Sequence, residues 1–356
     1  MKILFLISAP KISASSRYRV YNYIKYFRRD GHICHVASGS WNWLFKKHSY
    51  NDNLFASLIY YFIQFTARFL ILFKVRFYDV VVIQRELFFY LPPIFEKAIK
   101  KINAKIIFDI DDAMFFADQV SYGKFYKYLD LEKAYKIASL SRHVIVGNSY
   151  LKKKILPFNS NISIIPTPVD TDRLIPFQKT SNHNSMVVIG WIGNRGNLKN
   201  LQMVGNILQD LAKKYNFTLN IVSSDKFYLD GVKVQNIQWA IDTEIKSLHN
   251  FDIGIMPLED NEYNRGKCGF KALQYMAVGL PVVCSPIGIN KDIIEDGVNG
   301  FWAVTPDEWI KNLAKLIENP TLRQKLGRHG RYLVERKYSY EVTYPELSKV
   351  IVKAAE

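Results

Sequence analysis

Hydrophobic positions along the chain alternate between two periods. Short apolar runs of strand length, rich in Val and Ile, are each followed by a segment with helical spacing. KILFLIS opens the series, SRYRVYNYIKYFRRDG reads as a helix closed by Gly31, and ICHVAS is the next strand. YDVVVIQ and AKIIFDI follow, with a helix between them around residues 93–101, and SRHVIVGNS and ISIIPTPVD end the first half. The pattern then restarts with strand MVVIGWIG, helix LKNLQMVGNILQDLAKKY and strand FTLNIVS. VQNIQWA (strand), DTEIKSLHN (helix) and FDIGIMPL (strand) come next. Alternating strands and helices predict parallel sheets covered on both faces. Residues 166–185 carry three prolines and the polar run TSNHNS, which places the linker there. The expected domains are 1–170 and 171–339, with a last helix (340–356) packing back on the first.

Length agrees with that division, because 356 residues exceed one modest core and suit two domains of common size. With 49% hydrophobic residues the chain is globular rather than disordered. Cys34, Cys268 and Cys284 form no CxxC pair, which points to a reducing compartment. The opening MKILFLISAP is a buried first strand, its apolar run too short and too soon broken by Ser8 and Pro10 for a signal peptide. Charge is uneven. Residues 1–176 hold 26 Lys+Arg against 13 Asp+Glu, and residues 177–356 hold 22 against 19, giving +16 in all. A basic first half implies an acidic partner, whether anionic lipid, a phosphorylated acceptor or nucleic acid. Residues 54–73, LFASLIYYFIQFTARFLILF, are nearly apolar and long enough to span a bilayer. Gln64 and Arg68 near the middle would make spanning costly. Trp41, Trp43, Lys46 and Lys47 before the segment, and Lys74 and Arg76 after it, suit an element lying in the membrane interface. A buried helix with a hydrophobic loop is the other reading, and composition leaves both open.

Candidate chemistry concentrates in residues 265–304, RGKCGFKALQYMAVGLPVVCSPIGINKDIIEDGVNGFWAV. Gly269 opens a short helix, Gly279 stops it, and PVVCS reads as a buried parallel strand. Lys267, Lys271 and Gln274 fall at i, i+4 and i+7 on one helix face, and Ala272, Leu273, Met276 and Ala277 supply the core on the other. Two ammonium groups and an amide beside a glycine-rich helix start can cradle a diphosphate and a sugar hydroxyl. A plain amphipathic helix with a solvated polar face explains the same spacing.

The segment resembles the C-terminal signature of the retaining GT-B glycosyltransferases called family 4. That signature runs Glu, seven residues, Glu, then Ala-Met-Ala-x-Gly-x-Pro-Val-Val, a small-residue loop, Gly-Gly-x-x-Glu and Asn/Thr-Gly. Gln274, Met276, Ala277, Gly279, Pro281, Val282, Val283, Gly288, Asp292, Gly297 and Gly300 occupy matching positions. The departures are Gly266 at the first glutamate, Gln274 at the second and Asp292 at the last acidic position. The resemblance implies a GT-B fold, two tandem Rossmann-like α/β domains with parallel sheets facing a central cleft. It also implies Gln274 on the donor ribose. Gly266 cannot make the sugar contact of the family glutamate, and Lys267 and Lys271 read as a variation that moves cationic work onto this helix.

Other candidates follow from what glycosyl transfer requires. The diphosphate must be neutralised by cations and helix N-termini, the sugar oriented, and the acceptor hydroxyl deprotonated. The loop Gly193, Asn194, Arg195 to Lys199 follows the first strand of the second domain and resembles the family's Gly-Arg…Lys-Gly loop, with Arg195 displaced. Gly269 and Phe270 open the signature helix, and Trp239 ends a strand where this fold holds the base, though core packing accounts for a tryptophan equally well. Asp109, Asp111 and Asp112 end a first-domain strand. Their mutual repulsion should raise at least one pKa and suit proton handling, although a cap for a following helix is the plainer role. Asp109-x-Asp111 resembles the metal-binding motif of the GT-A fold, but the rest of the chain matches GT-B, so no metal and no cofactor are expected. Ser16 and Arg17 after the first strand, and Glu86 after a later one, fall on the acceptor or phosphate side. The histidines have no metal-ligand spacing.

The expected protein is a hexosyl-type glycosyltransferase facing the cytoplasm, peripheral on the inner face of the cytoplasmic membrane. A nucleotide-sugar donor, UDP in preference to GDP, and a glycan or lipid-linked acceptor are its partners, with an anionic membrane surface and no nucleic acid. A nucleotide-sugar epimerase of the same shape and a non-catalytic, degenerate transferase are the alternatives.

Overall fold

The computed structural model describes residues 1–50, 54–88, 91–115, 129–177 and 186–356. Among these, two six-stranded sheets form, every neighbouring pair parallel. They divide between two units, residues 1–168 with 343–356, and residues 169–342. The polar run 180–185 lies outside the described residues.

The first sheet holds β1 (Lys2–Ile7), β2 (Ile33–Ala37), β3 (Val80–Gln84), β4 (Ile106–Ile110), β5 (His143–Val146) and β6 (Ile162–Ile164), in the order β2-β1-β3-β4-β5-β6. β3 and β4 are buried along their whole length, which is why their sequences are continuous rather than alternating apolar runs. Leu4, Leu6, Val81, Ile83, Phe108 and Val144 join one core under the crossover helices. The order reverses between β1 and β3, with Ile7 opposite Gln84 at their carboxyl ends. That edge is where open α/β sheets take ligands.

The segment read as one helix over 16–31 is three elements: a helix Ala14–Arg19, a 3₁₀ turn Tyr21–Tyr23 and a helix Ile24–Arg29. The break falls at Val20, whose φ of −129° leaves the helical region. Packing decides it, because the break sets Tyr23 in the core with its hydroxyl donating to Thr343 Oγ1 at 2.7 Å. Residues 343–356 continue the final helix Tyr340–Ala355 within this unit. Tyr344 stacks on Tyr26 at 5.3 Å and donates to Asp30 Oδ2 at 2.6 Å.

Residues Leu54–Val75 form one helix, and its polarity is inverted. Tyr60, Gln64, Arg68 and Val75 face the protein, while most of its phenylalanines face outward. The buried Arg68 guanidinium donates to Ala37 O at 2.8 Å, to Ser38 O at 3.3 Å and to Ile7 O. The two polar groups that the apolar sequence made look costly are the groups that fasten the helix to the sheet edge.

The second sheet holds β7 (Val187–Ile192), β8 (Phe217–Ser223), β9 (Lys233–Gln238), β10 (Ile253–Met256), β11 (Val282–Cys284) and β12 (Gly300–Trp302), in the order β12-β11-β10-β7-β8-β9. This is the Rossmann order, reversing between β7 and β10. The edge strand β12 was not apparent from the sequence, because GFW is three residues long and sits among loop glycines. The stretch 198–215 is also two helices, Leu198–Gln202 and Gly205–Ala212, rather than one. Phe251, Tyr275 and Met276 fill the core on one side of this sheet, and Trp191, Leu208 and Leu219 fill it on the other.

Candidate functional site

In the second unit, the loop after β7 and the helix Phe270–Ala277 meet at the switch point between β7 and β10. Close approach is built in by small residues. A Cβ on Gly254 would stand 2.3 Å from the Tyr275 ring, so only glycine admits the helix here. The Tyr275 hydroxyl accepts from Ile192 N at 3.0 Å and donates towards Ile255 O at 3.4 Å, tying the helix to the carboxyl-terminal halves of both central strands. Gly269, at φ +65°, supplies the left-handed residue that turns the chain into the helix.

Two cations converge on this loop, though not from one helix face as the spacing suggested: Lys271 is on the helix, whereas Lys267 precedes its start at Gly269. Lys271 Nζ lies 4.7 Å from the Trp191 ring centroid, and its Cε crowds the site where a Cβ on Gly193 would be. Lys267 Nζ donates to Asn197 Oδ1 at 3.0 Å and lies 4.2 Å from the Tyr263 ring. Asn197 in turn donates to Asn194 Oδ1 at 2.7 Å. Burial, and then repulsion from Lys267, lower the Lys271 ammonium to about 7. An amine held near its own titration point beside a second ammonium is short of negative charge, and a diphosphate would supply it.

The remaining donor-side candidates divide. Gln274 is buried rather than on a solvated face, and its amide donates to Glu244 Oε1 at 3.2 Å. The other oxygen of Glu244 accepts from Trp239 Nε1 at 2.9 Å, so one carboxylate joins the two residues that sequence reasoning placed at ribose and base. Arg195 is exposed and pairs with Asp225 at 3.1 Å, and Lys199 is exposed on the helix that follows. Phe270 is half-buried and packs against the core. Glu244, Tyr263 and Tyr275 were missed, and Asn197 was read only as part of the loop. Only Glu244 carried a usable sign, a carboxylate five residues after the tryptophan and on the next helix.

In the first unit, Asp109, Asp111 and Asp112 lie together at the end of β4, but arginines separate their charges. Both oxygens of Asp109 are taken by Arg19, with Nε at 3.0 Å from Oδ2 and Nη2 on Oδ1. Asp111 accepts from Arg85 Nε and from Ser15 Oγ, each at 2.5 Å, and Asp112 lies 3.5 Å from Arg85 Nη2. Burial raises the Asp109 pKa against the pull of Arg19, with Asp111 adding less. Burial would raise Asp111 also, but Arg85 and Ser15 carry it below the usual carboxylate range. The expected carboxylate repulsion is therefore a minor cause here. Arg85 reaches both acids from an uncommon backbone, at φ +60°. Ser16 donates to Ala9 O at 2.7 Å, Arg17 is buried with its Nη1 donating to Ile12 O at 3.3 Å, and Glu86 is buried after β3.

Residues 186–319 match the family model described as Glycosyl transferases group 1. A glycosyltransferase from Rickettsia africae superimposes with a TM-score of 0.70 at 16% identity, covering 100% of this chain and 98% of that one. The Anabaena protein HepE, solved with UDP and glucose, superimposes with a TM-score of 0.71 at 14% identity, covering 99% and 100%. The fold is GT-B. In sequence, the chain is 24% identical over 230 residues to the capsular polysaccharide biosynthesis glycosyltransferase CapM of Staphylococcus aureus, covering 60% of this chain and 59% of CapM. The chain is thus similar to group 1 glycosyltransferases, and its alignment spans about three-fifths of that relative's length.

Proposed function

We propose that the chain is a retaining glycosyltransferase that moves a hexosyl group from a nucleotide sugar, UDP-linked in preference, to a hydroxyl of a lipid-linked or cell-envelope polysaccharide acceptor. The observation that carries this reading is the convergence of Lys267 and Lys271 on the Gly193–Asn197 loop at the β7/β10 switch point. Departure of a nucleoside diphosphate leaves negative charge on its terminal oxygen. Two preorganised ammonium groups stabilise that charge more in the transition state than in the bound donor. Retention follows if the acceptor hydroxyl attacks on the face the diphosphate leaves, its proton passing to the leaving phosphate oxygen while the new glycosidic bond forms. Gln274, set by Glu244, holds the ribose, and Trp239 lies on the base side. The carboxylates at the end of β4 stand on the acceptor side, with Asp111 and Asp112 the members not fully engaged by Arg19. HepE was solved with UDP and glucose, and CapM is named for capsular polysaccharide biosynthesis. Both support the donor and acceptor classes.

Calorimetric binding of UDP, GDP and a panel of their sugars to wild type and Lys271→Ala tests the reading. Saturable binding of one nucleotide, clearly weakened in the variant, is the expected result. No binding by any nucleotide would refute it. Gly266, at the position of the family's first glutamate, favours a second reading as a non-catalytic binding protein. Nucleotide binding without turnover on any envelope glycan would support that reading.

A further inference from the structure

The helix Leu54–Val75 presents an outward apolar stripe whose side chains remain largely exposed, although Phe65 meets the Phe95 ring at 5.3 Å. Phe55, Leu58, Phe62, Phe65, Phe69 and Phe73 recur at three- and four-residue intervals along it, and Phe55 and Phe62 are each 71% exposed. At 22 residues the helix is about 33 Å long. The span Ser57–Val75 meets the length and hydropathy of a membrane-crossing helix, although only 22% of it is buried in the protein.

Three observations choose the occupant. First, the borders of the stripe are basic. Lys46, Lys47, Lys74 and Arg76 are exposed at its two ends, and residues 31–78 contain a single acidic residue, Asp52. A second copy would set like charges against like, whereas an anionic lipid surface complements all four. Second, Trp41 and Trp43, stacked at 6.4 Å and both more than half exposed, flank the helix. Lys47 lies 5.8 Å from the Trp43 ring, and Arg76 lies 4.8 Å from the ring of the exposed Phe77. Aromatic rings beside cations are the composition of the headgroup boundary. Third, the helix is tethered along its length. Gln64 reaches Ser8 O at 3.5 Å, and Arg68 holds the carbonyls of Ala37, Ser38 and Ile7. Crossing a bilayer would break these bonds and strand a guanidinium in hydrocarbon, so the helix is held parallel to the surface it meets.

We infer that the outward face of Leu54–Val75 docks in the plane of an anionic phospholipid surface, seated by its phenylalanines and by the tryptophan pair, and steered by its basic ends. The tethers join the carboxyl ends of β1 and β2, the same sheet edge that leads into Ser16 and Arg17. Docking therefore brings that edge to the lipid surface. The inference stands on the first unit alone and does not need the transferase reading.

The test is flotation of the full chain with vesicles of phosphatidylethanolamine and phosphatidylglycerol, and separately of phosphatidylcholine, read beside tryptophan emission. Wild type should float with the anionic vesicles, less so as salt rises, with a blue shift, and should be released by alkaline carbonate. Phe55→Asp/Phe62→Asp should bind at least about tenfold more weakly while its thermal melt and UDP binding match wild type. Lys46→Glu/Lys47→Glu/Lys74→Glu should lose only the preference for anionic lipid. Three results would overturn the inference. They are a wild type that stays in solution with anionic vesicles, one that resists carbonate extraction, or one that sediments as a dimer made monomeric by Phe55→Asp/Phe62→Asp. Failure of UDP binding with flotation intact would count against the transferase reading alone.

Discussion

Lys271 carries a quantitative consequence. Burial and the neighbouring Lys267 lower its ammonium to about 7, so above neutrality most free protein has a neutral amine there. A bound diphosphate supplies opposite charge and draws the group back towards its ordinary range, so binding must take up a proton. UDP is fully ionised above about pH 7.5, because a terminal phosphate titrates near 6. With a free-state pKa near 7, the protonated fraction falls from about one quarter at pH 7.5 to about one hundredth at pH 9.0. UDP affinity should weaken about 25-fold across that interval. Near pH 8.5 the uptake should be close to one proton per UDP, read as the dependence of calorimetric enthalpy on buffer ionisation. Lys271→Ala should flatten the profile and weaken binding by about 1.5–3 kcal/mol where the wild-type amine is charged. Lys271→Arg should flatten it while keeping the charge. The folded pKa lies below the unfolded value, so the unfolded chain binds more protons between the two. Stability of the apo protein should therefore rise with pH from about 7 towards 10, in the direction opposite to UDP affinity. A wild-type profile that is flat from pH 7.5 to 9.0, with no proton uptake, would refute the argument.

Glu244→Ala removes the acceptor shared by Trp239 and Gln274 and should cost about 1–3 kcal/mol of stability, with weaker UDP binding, measured by urea titration and calorimetry on the same preparation. Gly254→Ala puts a Cβ 2.3 Å from the Tyr275 ring and should lower stability by about 1–3 kcal/mol, read as a lower denaturation midpoint at unchanged slope; a neutral result would mean the helix can shift. Arg19→Met leaves Asp109 buried without its partner and should cost about 3–5 kcal/mol. Arg19→Met/Asp109→Leu should recover most of that loss, and equal instability of the single and double variants would show that the pair is not the cause.

Much of the architecture was legible because a parallel strand buried on both faces has nowhere to hide polar residues. Val80–Gln84 and Ile106–Ile110 stand out as apolar runs, and Gly31 and Gly279 close the helices before β2 and β11. The signature helix was legible for a related reason. Its glycine start, core face and following strand are local features, but Lys267 precedes the helix and meets the same loop as Lys271 only through the left-handed turn at Gly269. Sheet order, by contrast, depends on which strands pair. The reversals between β1 and β3 and between β7 and β10, which position both sites, were therefore not in the pattern.

Tertiary structure also decided the state of each charge. Three neighbouring aspartates in sequence suggest mutual repulsion, but Arg19 comes from another element to engage Asp109, and Arg85 leaves the end of β3 to meet Asp111. Gln274 keeps its place on the helix, yet Glu244, thirty residues earlier, sets its orientation. In Leu54–Val75 the sequence by itself determined that a long apolar helix would carry Gln64 and Arg68. Only the fold decided that these two point inward to strand-end carbonyls while the phenylalanines point out. Periodicity says which residues share a face. Which way that face turns depends on the hydrogen-bonding groups it meets, and those belong to residues distant in the chain.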